Sequence, residues 1–322
     1  MFRSFLRIDI NMPEMTPYVS IVVPTIRVGG LDVLLNSLNG QTFKNFELIL
    51  IDGIFDYRHE LISNKLEKFD FKIVHKPPFN NPFPINSFCK FANTGLVHAN
   101  GEIVLFVTDY TWLLNNCVEI HANFHKSNND LQALMCPHNY FEPPTLKKDF
   151  PIYKLETVLD HKQEQIDIYI DDLKSGKLNN YMWSIFEQEF SNIENLHPDQ
   201  VFWNTDPKLT HQKGCIQPIF FHAKNESCKL EKVMRINGWD EDLDGSHCYQ
   251  DSDLAERLSQ ISGLNWHCDP TNIAYIINPR KHIPRARRLR PIETNHTMWM
   301  NKKLSGYPTP NSWSLIEKKQ QM

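Results

Sequence analysis

Three aspartates stand where chemistry could occur. Asp52 closes the run "FELILID", Asp109 closes "EIVLFVTD", and Asp251 opens "DSDLAERL". A continuous apolar run reads as a strand buried on both faces, so the first two acids sit at strand C-terminal ends. The third starts a helical pattern, where it suits an N-cap and where the positive helix end would lower its pKa and keep it ionised. Carboxylates so placed can accept a proton from a reacting group or hold a divalent cation against phosphate oxygens.

The elements that must position them follow from periodicity. "YVSIVVPT" (18–25) predicts a strand, and "GGLDVLLNSLNGQT" (29–42) a helix with Leu31, Leu34, Leu35 and Leu38 on one face. "FELILIDG" (46–53) is a second strand, "HELISNKLEKF" a polar helix, and "FKIVH" (71–75) a third strand. The segment "SFCKFANTGLVHAN" places Phe88, Phe91, Ala92, Gly95, Leu96 and Ala99 on one helical face before the strand "GEIVLFVTDY". Strand and helix in alternation predict an α/β fold, a mostly parallel sheet covered on both sides. Ligands of such sheets bind at the carboxyl ends of the strands, where Thr25, Asp52 and Asp109 fall. Beyond residue 137, "CPHNYFEPPTLKKDFPIY" reads as a loop, then "QEQIDIYIDDLKSG" and "NYMWSIFEQEFSNIENL" as amphipathic helices.

Several function classes drop out. The chain has 322 residues, 41% hydrophobic and 22% charged, with a net charge of -4, which gives no general pull toward nucleic acid. Its longest apolar runs are too short to span a bilayer, and "MFRSFLRIDINMPEM" makes a poor signal peptide. Seven cysteines without a CxxC pair predict reduced thiols in a cytoplasmic setting. Asn225 and Asn295 begin N-x-S/T triplets, to which little weight attaches. Neither a dinucleotide glycine fingerprint nor a P-loop is present, so any nucleotide diphosphate must be held by metal ions and basic side chains.

Four segments in order, "VSIVVPT", "FELILIDG", "FANTGLVHANGEIVLFVTDY" and "NESCKLEKVMRINGWDEDLDGSHCYQDSDLAERL", resemble the family 2 glycosyltransferases of the GT-A fold. The resemblance covers roughly residues 18 to 115 and 218 to 260. It implies a GT-A type α/β fold, a doubly wound, mostly parallel central sheet with helices on both faces in a single domain. Pro24 and Thr25 would line the base and ribose pocket, and Asp52 would bind the base edge. Asp109 would be the acid kept from the family's acidic turn, here "TDY", and a ligand for Mn²⁺ or Mg²⁺. Asp251 matches the family's catalytic base, with Asp253 beside it and Trp239 available to stack on an acceptor sugar. His282 would complete the metal site, with His267 as a competitor, and Arg287 and Arg288 would hold the diphosphate. The implied activity is inverting transfer from a nucleotide sugar, chiefly a UDP-sugar, to a hydroxyl of a saccharide or glycan.

The corresponding organisation is an N-terminal extension (1–17), a GT-A domain (18–280) and a basic tail (281–322). Within the domain, 18–115 forms the nucleotide-sugar half and 116–280 the acceptor half. The tail would fold back over the donor site, and its run "RKHIPRARRLRP" also suits a peripheral contact with anionic lipid. "DEDLDGSHCYQD" (240–251) fits an EF-hand loop in part, but its last acid is Asp, not Glu, and Asn237-Gly238 breaks the helix that should enter it. Two other readings compete: a sugar nucleotidyltransferase, and a non-catalytic nucleotide- or sugar-binding protein with a degenerate metal site.

Overall fold

The computed structural model describes residues 16–25, 31–79, 87–109, 111–141, 201–202, 214–245, 248–277, 292–311 and 313–322. The first third alternates as its periodicity predicts: β1 (Val19–Thr25), α1 (Leu31–Asn39), β2 (Phe46–Asp52), α2 (Phe55–Leu66), β3 (Lys72–Lys76), α3 (Phe88–His98) and β4 (Ile103–Phe106). Next come β5 (Thr111–Leu113), α4 (Cys117–Ser127), β6 (Gln132–Met135), β7 (His138–Phe141), β8 (Val201–Phe202) and β9 (Gly214–Ile216). The remainder comprises β10 (Glu226–Lys229), α5 (Leu230–Arg235), α6 (Gln250–Ser262), β11 (Asn265–Cys268), β12 (Ala274–Ile277), α7 (Ile292–Leu304) and α8 (Leu315–Gln320). The two amphipathic helices expected between 163 and 196 lie outside the described residues.

The main sheet has the order β3-β2-β1-β4-β10-β6-β11-β9, and β5-β12-β7-β8 form a second sheet. In the main sheet β10 and β9 run against the other strands. Continuous apolar strands are needed because the sheet is covered twice. Ile21 and Val23 of β1 face one core with Leu31, Leu34, Leu35 and Leu38 of α1. Val22, between them, faces the other core with Phe91, Ala92 and Leu96 of α3. Helix α3 lies so close on β1 that a Cβ at Gly95 would come 2.5 Å from Val22 Cγ1.

Of the C-terminal segment, set apart in the sequence as a tail, the described residues from 292 onward are packed on the domain. Trp299, Tyr307 and Leu315 are buried. Asn237 donates to the carbonyls of Pro310 (2.6 Å) and Trp313 (2.9 Å), while Asn311 donates to those of Asn237 (3.1 Å) and Trp239 (3.0 Å). This described part of the tail therefore clasps the "NGWDE" loop. No helix among the described residues is long and apolar enough to cross a membrane.

Candidate functional site

The ends of β1, β2 and β4 are tied together by one buried cation. Thr25 Oγ1 donates to Asp109 Oδ2 at 2.9 Å. Arg58, in the first turn of α2, donates from Nη2 to Thr25 Oγ1 at 3.3 Å. The same guanidinium clamps Asp52 through Nε (2.8 Å) and Nη2 (2.7 Å). His75 Nε2 of β3 lies 2.9 Å from Asp52 Oδ2, and Ile54 N donates to Oδ1 at 3.0 Å. Burial pushes the Asp52 carboxyl up, but the Arg58 guanidinium and the His75 ring more than offset it and hold it at about 2. Asp52 and Arg58 are both 0% exposed, whereas Asp109 retains 6%. This differs from the base-edge role expected of Asp52: a covered, bidentately paired carboxylate organises the strand ends and presents no open oxygen. Thr25 is buried and Pro24 partly exposed at the same edge.

Asp251 stands beside the turn that leads into β10. Strand β10 pairs antiparallel with β4, with Glu226 opposite Phe106, so the start of β10 lies near the turn that carries Asp109. The Glu226 carboxylate gathers the backbone N–H groups of Lys224, Asn225 (2.8 Å) and His222 (3.3 Å), folding the turn that precedes the strand. Asp251, the second residue of α6, stands by Glu226 and Lys224. Burial raises its carboxyl to about 6, with the Lys224 ammonium opposing. The expected lowering by the helix terminus is thus overturned, because desolvation outweighs a terminal dipole. Burial likewise lifts Glu226 to about 7, against the Asn225 and Lys224 N–H groups and helped by the charge on Asp251.

Other sequence-derived residues land elsewhere. Trp239 is 0% exposed and packs edge-on against Phe88 and Phe106 in the core, so it offers no face to a sugar. Asp253 is buried and paired with Arg257 at 2.7 Å, a structural bridge within α6. Three acids of the EF-hand-like loop are engaged elsewhere: Asp240 caps Asp242 N, Lys302 pairs with Asp240 and Asp242, and Asp244 caps Cys89 N and Lys90 N of α3. His267 sits within β11, three strands from β4. His282, Arg287 and Arg288 lie outside the described residues. Both triplet asparagines, Asn225 and Asn295, are fully buried, which closes them to glycosylation.

These titrations predict the pH dependence of stability. Glu226, Asp244 and Asp251 rise to about 7, 7 and 6 from 4.5, 3.8 and 3.8, in each case chiefly through burial. Between the unfolded and folded values only the unfolded chain releases those protons, so the contribution of these three acids to stability falls as pH rises from about 4 through 7. Glu226 alone contributes roughly 3 kcal/mol to that fall. Asp52, held at about 2, acts oppositely: its contribution is present above about 4 and lost as pH drops through 2. Burial also pushes His121, His125 and His222 down to about 4, 3 and 4, so between those values and about 6.5 only the unfolded chain holds their protons and stability is lost as the pH falls. Calorimetry should therefore show a broad plateau up to about pH 6.5, a decline from there toward pH 8 and a loss in acid; a Tm climbing steadily from pH 6.5 to 8 contradicts these assignments.

No protein-family model matches the sequence, and no curated protein matches it. Solved structures do. The chain aligns with S. aureus TarS at a TM-score of 0.54 with 13% identity, covering 93% of this chain and 41% of TarS. It aligns with TarS 1–349 in complex with UDP at a TM-score of 0.52 with 12% identity, covering 93% of this chain and 68% of that one. The fold is the GT-A glycosyltransferase fold. A mannosyltransferase from Pyrobaculum calidifontis, solved with GDP-Man and Mn²⁺, aligns at 0.48 with 16% identity over 84% of this chain and 59% of its own. The chain spans less than half the length of full TarS.

Within this GT-A frame, the described residues hold no cluster of three His, Cys, Asp or Glu side chains that could bind a metal. A small divalent cation takes one or two carboxylates and completes its shell with phosphate oxygens and water. Asp109, at the strand edge and hydrogen-bonded by Thr25, fits one such position. Sequence reading missed Arg58, His75, Lys224 and Glu226. Arg58 had a signal: a cation in the first turn of the helix that follows an acid-ended strand stands over that acid.

Proposed function

We propose that this chain is an inverting glycosyltransferase that moves a sugar from a nucleotide sugar, most naturally a UDP-sugar, to a hydroxyl of a saccharide acceptor. One arrangement carries the reading: Asp251, a carboxyl raised to about 6, stands by Lys224 and Glu226 at the start of β10, and β10 pairs with β4, whose end leads to Asp109 and its Thr25 partner. Asp251 takes the proton of the acceptor hydroxyl as that oxygen bonds to the anomeric carbon, and the nucleoside diphosphate leaves from the opposite face. A base of this pKa is ionised at neutral pH yet still basic enough to matter. Thr25 and Arg58 fix the Asp109 carboxylate where the diphosphate lies. A divalent cation at Asp109, Mn²⁺ or Mg²⁺, would supply neutralisation of the leaving group's charge. His282, Arg287 and Arg288 would add to the diphosphate contacts. The seven unpaired cysteines, five of them buried, favour a reducing, cytoplasmic setting.

A thermal-shift series with UDP and GDP, with and without Mn²⁺, tests the donor side. UDP at one hundred times its Kd should stabilise the fold by about 2.7 kcal/mol. Turnover of UDP-sugars then tests the chemistry. Release of pyrophosphate from a nucleoside triphosphate as a sugar phosphate is added would instead identify a nucleotidyltransferase, and tight nucleotide binding without turnover a binding protein.

A further inference from the structure

The residues just before Asp251 are held in an unfavourable conformation. Cys248 (φ 76°) and Tyr249 (φ 70°) are consecutive L-residues in the left-handed region, and α6 begins at the next residue. Such residues persist only where the surroundings over-determine them. Here the surroundings are helix α7. Asn295, fully buried, donates from Nδ2 to the carbonyls of Leu243 (2.8 Å) and Cys248 (3.3 Å). The Tyr249 ring stacks on Trp299 at 5.2 Å and 27°, with His296 at 5.1 Å. Gln250 Nε2 reaches the same Leu243 carbonyl at 3.1 Å. Helix α7 is itself pinned, by Lys303 to Glu256 of α6 (2.8 Å) and by Lys302 to Asp240 and Asp242. Meanwhile Asn295 Oδ1 is buried and has no hydrogen-bond partner among the described residues, an unfavourable state that the two bonds of its amide help to offset.

We infer that Asn295 is a positioning residue for Asp251: its amide locks the strained 248–249 pair, which sets the direction from which the α6 terminus presents the carboxylate. The inference rests on the reading of Asp251 as the base. Releasing the lock lets the pair relax to ordinary backbone angles and swings the first turn of α6. A displacement near 1 Å in a reacting group costs on the order of 10²-fold in rate.

The test is steady-state kinetics with a UDP-sugar on Asn295→Ala, alone and combined with Cys248→Gly. Cys248 is exposed, and glycine adopts positive φ without strain, so the second change restores the backbone angle and removes little packing. The expected result is a kcat lowered on the order of 10²-fold, an unchanged donor KM and UDP-induced thermal shift, and partial recovery of kcat in the double variant. A purely structural role would not be repaired at residue 248. Wild-type kcat in N295A, a donor KM that rises in step with the kcat loss, or no recovery by C248G overturns the inference. Should N295A not fold, Trp299→Phe, which weakens the Tyr249 stack while keeping an aromatic ring there, is read by the same criteria. A D251N variant that still turns over donor overturns the base assignment instead, whereas a dead D251N beside a fully active N295A overturns this inference alone.

Discussion

Replacing Asp251 with asparagine lowers transfer to acceptor by about 10²–10⁴-fold, the range a positioned general base contributes. Donor binding survives the change, because Asp251 takes no part in the hydrogen bonds that join Thr25, Arg58, Asp52 and Asp109. The fold survives too. A carboxyl lifted to about 6 by burial is a liability once ionised, so its neutral replacement should raise Tm at pH 8. That combination, inactive and more heat-resistant, separates lost chemistry from misfolding. In the wild type, kcat/KM should climb as pH passes through about 6, where Asp251 would lose its proton. A D251N protein with a tenth or more of wild-type transfer would end the assignment.

The first third was legible because its burial is regular. β1, β2 and α1 fall within two or three residues of the runs 18–25, 46–53 and 29–42, since alternate strand residues fill two separate cores, and the polar exceptions Ser20 and Glu47 bond each other at 2.7 Å. Strand β10 was illegible for the opposite reason. Its sequence "ESCK" has no apolar run, yet all four residues are buried. Side-chain pairing makes that possible. Asn225 Nδ2 donates to Asn272 O at 2.8 Å, leaving its Oδ1 to accept from His121 Nε2 at 3.0 Å. His121 Nδ1 must then accept from Ser227 (2.7 Å), which accepts in turn from His125 Nε2 (2.9 Å). Burial pushes these rings to about 4 and 3, so both are neutral and the proton order is fixed. No periodicity encodes such a network. The acids themselves were legible by type and place, but their states were not: Asp52 was found with an arginine, Asp251 with a raised pKa, and Trp239 inside the core.

The Arg58–Asp52 clamp yields the largest expected loss of stability. Arg58→Met strands a carboxylate that is 0% exposed, and breaking a buried pair from one side costs about 3–5 kcal/mol. Asp52→Asn should be nearly as damaging at neutral pH, since it leaves the guanidinium buried beside His75 without its counter-charge. The double change Asp52→Leu with Arg58→Met removes both desolvated charges and should cost less than either alone, because apolar groups often replace a buried pair at little net cost. The R58M defect is also pH-dependent in a defined direction. Without its cation the Asp52 carboxyl rises from about 2, so the defect is largest at pH 7 and shrinks as acid protonates it. Urea unfolding at pH 7 and pH 5 measures both effects. Function should follow stability here: Thr25 loses the Arg58 bond that orients it toward Asp109, so UDP binding weakens in R58M even under conditions where the fold holds. If single and double variants lose equal stability, or if R58M binds UDP as the wild type does, the strand ends are held by packing alone and the clamp has no part in presenting Asp109.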